Sequence, residues 1–204
     1  MSTHAVAPMT SQRELDDVVL ALFPPQGAWS EEQYRWLTDR SKRLIEFTDG
    51  AVEVLPMPTR KHQAISQFLF LAFLAFVQRD GGRIFYAPLR LRIRDQIYRE
   101  PDLMLLRDAT DPRNQDHYWT GADLVVEIVS PDRPERDLVQ KRRDYAEGGV
   151  PEYWLVDPRR ETIAVLRLED GGYVEHGVFG RGARATSALL PGFAVDVSAV
   201  FDAD

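Results

Sequence analysis

A glutamate inside an otherwise apolar run is the feature that most constrains how this chain can fold. Glu127 lies between Val126 and Ile128 in the run Asp123-Leu-Val-Val-Glu-Ile-Val. A short run rich in Val, Leu and Ile is typical of a buried β-strand. An ionised carboxylate in a buried strand is costly unless a group pairs with it or it coordinates a metal. The position of Glu127 therefore indicates a buried ion pair or a metal site.

A second carboxylate stands at the head of another apolar run. Asp102 follows Pro101 and precedes four apolar residues at 103–106, which we interpret as a neighbouring strand. The segment 136–145 is predicted to be a helix, with Asp137, Lys141 and Tyr145 at a spacing of four on one face. Two carboxylates on neighbouring strands, with a lysine nearby, could bind a divalent metal and a phosphodiester.

Length and composition narrow the possible sites. A chain of 204 residues fits one domain, so we assign residues 1–29 to an N-terminal segment and 30–204 to a single domain. The chain has no cysteine, which excludes disulfides, thiolate zinc sites and a cysteine nucleophile. Any metal must use oxygen or histidine ligands.

Charge and hydropathy restrict the possible partners. A net charge of −7 is not that of a general nucleic-acid binder, so any nucleic-acid contact must come from a local basic patch. Arg90, Arg92 and Arg94 share one face of a predicted strand and could bind phosphates, although such a face is more often solvated or paired with carboxylates.

We find no signal peptide, and the most apolar stretch, Phe68–Val77, is too short to span a bilayer. We therefore expect a soluble, cytoplasmic protein without membrane contact.

The order of predicted elements indicates the fold class. Ser30-Glu-Glu-Gln33 is a capping-box pattern that predicts a helix near 31–38. The predicted helices cover 13–23, 31–38, 59–78 and 135–147, and the predicted strands cover 43–47, 51–55, 84–94, 97–106, 123–129, 152–156, 162–168 and 173–179. The core order from residue 59 to 157 is αβββαβ, with an extra N-terminal hairpin and C-terminal strands. This order predicts an α/β (α+β) fold with a mixed sheet flanked by helices.

Several pieces of the chain together resemble a known family. They are Glu46 with Asp49-Gly50, His62, Glu100-Pro101-Asp102, the run 123–131, Asp137, Lys141, Tyr145 and residues 149–158. Their order over roughly residues 30 to 168 resembles the core of the PD-(D/E)XK nuclease superfamily, which has the restriction-endonuclease-like fold. The resemblance is closer to one branch, the candidate bacterial endonucleases long described as a domain of unknown function. It implies a metal-dependent phosphodiesterase fold and a homodimer.

The chain departs from the superfamily pattern at one position. The lysine that the pattern has two residues after the glutamate is replaced here by Val129. In the branch that this chain resembles, the next helix supplies the lysine, and Lys141 fits that place. We therefore expect Asp102, Glu127 and Lys141 to be catalytic, with the Lys141 ammonium close enough to Glu127 to reach it through a bridging water. On the resemblance alone, Glu46 and His62 are expected to line the site.

The residue types suggest how such a site would act. Mg²⁺ or Mn²⁺ would be held by Asp102 and Glu127 in a cleft at the sheet's edge, with the carbonyl of Ile128 as a possible third ligand. The function predicted is a Mg²⁺-dependent endonuclease acting on DNA. The alternatives are an inactive nuclease-like fold that binds nucleic acid or a protein, and a metal-dependent hydrolase of another substrate. At the level of residues, Asp102 could instead cap a turn, Glu127 could pair with an arginine, and Lys141 could form an exposed pair with Asp137.

Overall fold

The computed structural model describes residues 23–130 and 135–204. The helix predicted within residues 13–23 falls almost entirely outside these ranges. Residues just before the domain boundary contact the first hairpin: the Gln26 side chain hydrogen-bonds to the backbone of Val52, and Trp29 N donates to Gly50 O. The boundary at residue 29 stays a prediction.

Residues 23–130 and 135–204 form the following helices and strands. The helices are α1 (Glu31–Thr38), α2 (Arg60–Val77), α3 (Arg142–Glu147) and α4 (Val197–Asp202). A π-helical segment, Arg136–Lys141, runs directly into α3, and a 3-10 turn, Gln78–Asp80, follows α2. The strands are β1 (Ile45–Thr48), β2 (Ala51–Val54), β3 (Arg83–Tyr86), β4 (Arg90–Arg94), β5 (Ile97–Arg99), β6 (Leu103–Leu106), β7 (Tyr118–Trp119), β8 (Leu124–Ile128), β9 (Glu152–Asp157), β10 (Thr162–Glu169), β11 (Gly172–Gly180), β12 (Arg184–Thr186) and β13 (Ala194–Asp196).

These strands form a mixed α+β arrangement around one main sheet. The main sheet has six strands in the order β11-β10-β9-β8-β6-β3, and β8 and β9 are parallel. A second sheet has the order β2-β1-β5-β4-β7, and β12 pairs with β13. The predicted mixed sheet flanked by helices is therefore confirmed. Glu127 lies on β8, inside the main sheet.

The two long strands predicted at 84–94 and 97–106 are each divided between the two sheets. Their first and last parts, β3 and β6, pair in the main sheet, whereas β4 and β5 pair in the second sheet. The breaks fall at Pro88 and Pro101, because proline has no backbone N–H to donate to a strand ladder. The break before Asp102 places that residue at the start of β6.

Alternation along β8 separates two apolar cores. Val126 and Ile128 pack with the buried face of α2, which includes Ile65 and Leu69. Val125 and Val129 pack on the other face, in the cluster that contains Tyr145 of α3. Because side chains alternate along a strand, Glu127 points to the same face as Val125 and Val129, toward α3. Within the described ranges, no helix combines the length and hydrophobicity needed to cross a membrane.

Candidate active site

Lys141 brings three acidic side chains together. Its ammonium Nζ lies 2.8 Å from Glu127 Oε1 and 3.2 Å from Glu46 Oε1. Asp137 Oδ1 is 3.5 Å from the same nitrogen. The π-helical segment carries both Asp137 and Lys141, and such wide turns occur often at functional sites. We expected the Lys141 ammonium to reach Glu127 through a bridging water. The structure instead shows a direct contact between the two groups.

Glu127 receives two donors on one carboxylate oxygen. The hydroxyl of Tyr145, one turn after Lys141, also donates to Glu127 Oε1. Among the described residues no hydrogen bond reaches the second oxygen, Oε2. Glu127 is 3 % exposed overall, so its charge depends on these partners. The resemblance included Tyr145, but the predicted site did not.

Asp102 is fixed from two sides. Its Oδ2 accepts a hydrogen bond of 2.7 Å from the backbone N–H of Ile128, the residue after Glu127. His62 Nε2 lies 3.2 Å from the same oxygen. Thr59 caps α2 and accepts from the His62 backbone N–H, which holds His62 in the first turn of the helix. Asp102 Oδ1 has no hydrogen-bond partner among the described residues.

Glu46 reaches the site from the second sheet. It lies on β1 and is 3 % exposed, and its Oε1 accepts from the backbone N–H of Glu100 as well as facing Lys141. Its other oxygen is 3.9 Å from Arg99 Nε. Arg99 in turn forms a buried ion pair with Asp144 at 2.6 Å. These contacts tie the second sheet to α3 across the site.

Burial and nearby charge act in opposite directions on the pKa values of the site. Burial raises the pKa of Glu46, but Lys141 and Arg99 outweigh it and lower that pKa to about 2. Burial raises the pKa of Glu127; Lys141 opposes the rise, and the nearby Asp102 and Asp137 reinforce it. Burial lowers the pKa of Lys141, but Glu127 and Glu46 outweigh it, so this pKa is raised and the amine stays charged. Burial likewise lowers the pKa of His62, while the hydrogen bond and charge of Asp102 give a net rise.

The donor set suits a hard cation with many water ligands. No three His, Asp or Glu side chains come together as a ligand set within residues 23–130 and 135–204. Asp102 and Glu127 nevertheless each keep one carboxylate oxygen that no group in the described ranges hydrogen-bonds. Mg²⁺ is commonly held by one or two carboxylates and keeps several waters, so this pair fits it.

The two carboxylates line a cleft of about 630 Å³. Lys141, Asp137 and His62 also line it, together with the loops at 38–44 and 55–59 and the turn at 158–159. The cleft lies over the ends of the interior strands β6 and β8. It is therefore at the end of the strands and not at a lateral edge of the sheet.

The arginine face on β4 is paired with carboxylates. Arg90 binds Asp39, Arg92 binds Asp95, and Arg94 binds both Asp49 and Glu147. The interpretation of these arginines as a phosphate-binding face is therefore wrong, and the carboxylate pairing considered beside it is found.

Two site features had no usable signal in the sequence. The buried pair of Arg99 and Asp144 joins residues 45 positions apart, and neither stands in a recognisable motif. Arg136 also lines the cleft, and its Nη1 is 3.4 Å from Glu53 on β2. Both pairs join a helical residue to a strand residue, so only the packing of the segment 136–147 against the strands brings them together. The segment Glu100-Pro-Asp carries part of the family resemblance. Its sequence does not indicate that the Glu100 carboxylate accepts a hydrogen bond from the backbone N–H of Ile45.

Comparisons with known proteins identify the family of this chain and support its fold. Residues 30–198 match the family Uma2, described as "Putative restriction endonuclease". The structure is similar to that of a "putative nuclease belonging to DUF820" from Anabaena variabilis, with a TM-score of 0.65 and 21 % sequence identity. That match covers 95 % of this chain and 98 % of the other, and it shows a shared fold. No curated protein matches. Since the family match extends over most of the chain, the protein belongs to the Uma2 family, and the predicted relationship to the restriction-endonuclease-like superfamily is confirmed.

Proposed function

We propose that this protein is a Mg²⁺-dependent endonuclease that hydrolyses DNA phosphodiester bonds, with Mn²⁺ as an alternative cation. One observation carries the proposal: in one cleft, Asp102 and Glu127 each keep an oxygen without a hydrogen-bond partner in the described part of the chain, and Lys141 lies 2.8 Å from Glu127. A cation bound there would neutralise non-bridging phosphate oxygens and lower the pKa of a water molecule. The family and the structural neighbour support nuclease activity in general.

Each side chain has a distinct part in this proposal. Asp102 and Glu127 hold the cation, and the Ile128 carbonyl is a third possible ligand. Because its pKa is raised, Lys141 acts as a cation and donor, which orients the attacking water and stabilises charge on the phosphate in the transition state. Tyr145 fixes the Glu127 carboxylate, and His62 holds Asp102 against Ile128 N.

The paired state of Glu127 also fits a second candidate, a nuclease-like fold that only binds nucleic acid or a protein. A structural ion pair with Lys141 would satisfy the buried carboxylate without any metal. The free oxygens of Asp102 and Glu127 favour the enzyme, because an ion pair alone does not require them.

Nicking of supercoiled plasmid tests the proposal. The protein with Mg²⁺ should convert the plasmid to open-circular and linear forms, and an excess of EDTA should stop the reaction. No cleavage with Mg²⁺ or Mn²⁺, by a protein that binds the cation, would favour the second candidate.

The homodimer implied by the resemblance is a separate proposal. Light scattering at micromolar concentration should give twice the chain mass of 23.3 kDa. A mass equal to that of one chain would contradict it.

A further inference from the structure

The strand ends that carry Asp102 and Glu127 are flanked on each side by the end of a further strand of the main sheet. In the order β9-β8-β6-β3, all four strands present the same end to the cleft: Ile128 pairs with Val156, Val126 with Leu103, and Leu103 with Tyr86. Arg159 follows β9, and Tyr86 ends β3. At ~4.8 Å between neighbouring strands, these two flanks lie roughly 14 Å apart with the site between them.

On the β3 flank, the cleft has an exposed aromatic and apolar wall. Tyr86 is 57 % exposed and Met57 is 68 % exposed, and both line the cleft beside Pro88. The rings of Tyr86 and Phe70 pack edge to face, with their centroids 5.2 Å apart. This contact holds Tyr86 in place while much of its surface stays exposed. Exposed apolar side chains that line one cleft offer a surface on which an apolar or aromatic part of a ligand can pack.

Cations without carboxylate partners line the same cleft. Lys42 and Arg43 lie before β1, Arg159 lies after β9, and all three are exposed. None of the ion pairs found in the described part of the chain includes them, whereas the neighbouring Arg90 is bound to Asp39. Lys61 also lines the cleft, but its ammonium donates to the backbone carbonyls of Phe201 and Ala203. On a chain of net charge −7, Lys42, Arg43 and Arg159 are therefore the cleft cations most available to an anionic ligand.

An apolar stacking wall together with unpaired cations is the combination that binds single-stranded nucleic acid. A duplex keeps its base faces stacked on one another and offers none to Tyr86. The Asp102 side chain is 17 % exposed and that of Glu127 only 4 %, so a scissile phosphate must enter the cleft to reach them. We propose that the cleft takes an unpaired segment of DNA, with a base stacked on Tyr86 beside the scissile phosphate and with flanking phosphates bound by Lys42, Arg43 and Arg159. This inference rests on the proposed function.

Binding without cleavage tests the substrate form. Fluorescence anisotropy in EDTA would compare a labelled single strand, the same sequence as a duplex, and that duplex with a central unpaired bubble. We expect the single strand and the bubble to bind more tightly than the duplex. Equal or tighter binding of the intact duplex would overturn the inference.

Substitutions at Tyr86 test the stacking. Since base stacking on an aromatic side chain is worth about 1–3 kcal/mol, Tyr86→Ala should weaken single-strand binding by about 5- to 150-fold. Tyr86→Phe keeps the ring and should bind as the native protein does. Trp36→Ala is the matched control, because Trp36 is 54 % exposed but does not line the cleft. An unchanged affinity in folded Tyr86→Ala would overturn the role of this residue.

Charge removal tests the phosphate contacts. The slope of log affinity against log salt is negative, and the triple variant Lys42→Ala/Arg43→Ala/Arg159→Ala should reduce its magnitude by about 2, because each phosphate contact to a single strand contributes roughly 0.7. The control Arg35→Ala/Arg79→Ala/Arg83→Ala removes the same net charge from exposed positions outside the cleft. Equal slopes in the two triple variants would contradict the proposed contacts.

Cleavage assays separate this inference from the proposed function. Cleavage of duplex and single strand at equal rates would refute the inference and leave the endonuclease intact. Tight, Tyr86-dependent binding of single strands without any cleavage in Mg²⁺ would refute the endonuclease and leave the binding mode intact.

Discussion

The Lys141 ammonium lies directly against the Glu127 carboxylate, at 2.8 Å, although the two residues belong to different elements. Val129 stands two residues after Glu127 on the same face of the strand, where the superfamily pattern has its lysine. The π-helical segment before α3 therefore delivers an ammonium group that β8 itself lacks.

Removing the ammonium should impair catalysis more than metal binding. Lys141→Ala leaves Asp102 and Glu127 in place, so we expect the cleavage rate to fall by at least about 100-fold, in the range typical for the loss of one preorganised donor. Calorimetry should still detect Mg²⁺ binding. In the double variant Val129→Lys/Lys141→Ala, a lysine on the strand should restore part of the rate. A Lys141→Ala protein that cleaves at the native rate would refute the proposed role.

Asp102 should be essential for metal binding. Asp102→Asn removes the charge and keeps an oxygen that can accept from Ile128 N, so the local backbone should be preserved. Titration calorimetry should show Mg²⁺ binding to the native protein and little or none to this variant. We also expect removal of the Asp102 charge to leave the stability of the metal-free protein unchanged or to raise it, because it relieves repulsion with Glu127. Equal affinities would refute the site, and a large loss of stability would indicate a structural role.

Glu46 should make the free energy of unfolding depend on pH in the acidic range. Its folded pKa of about 2 is below the ordinary value of 4.5, so its contribution is complete above pH 4.5 and is lost as pH falls toward 2. Glu46→Gln should cost roughly 3 kcal/mol at pH 7 and progressively less below pH 4.5. Urea unfolding across this range measures the difference, with exposed Glu32→Gln as the control. A pH-independent difference between native and Glu46→Gln proteins would contradict the assignment.

The buried pair of Arg99 and Asp144 should behave as a structural unit. Asp144→Asn removes the nearer charged partner of the buried Arg99 guanidinium and leaves only Glu46, at 3.9 Å, and breaking such a pair costs about 3–5 kcal/mol. The double variant Arg99→Met/Asp144→Leu removes both charges and should cost less than Asp144→Asn alone. Thermal unfolding of the native protein and the two variants at one pH measures these differences in stability. A double variant that is destabilised as much as Asp144→Asn or more would show that the two charges do not act as a coupled pair.

The sequence predicted those parts of the site that depend on local pattern. Hydrophobic runs and breakers predicted strands around Glu127 and after Asp102, and the spacing of four predicted that Asp137, Lys141 and Tyr145 share a face. The prolines at 88 and 101 were visible, but their effect was underestimated, because the division of two strands between sheets depends on tertiary pairing. The same limit applies to Glu46 and Arg99: the pairing of β1 with β5 and the packing of the helical segment 136–147 together decide which groups they meet.

The most direct measurement of the central claim is the plasmid-nicking rate of Glu127→Gln beside that of the native protein, at saturating Mg²⁺. The substituted amide keeps an oxygen for the Lys141 and Tyr145 donors and removes the charge that would hold the cation. We predict Mg²⁺-dependent nicking by the native protein and loss of nearly all of it in a folded Glu127→Gln protein. Equal nicking by the two proteins would contradict the assignment of Glu127 to the catalytic site.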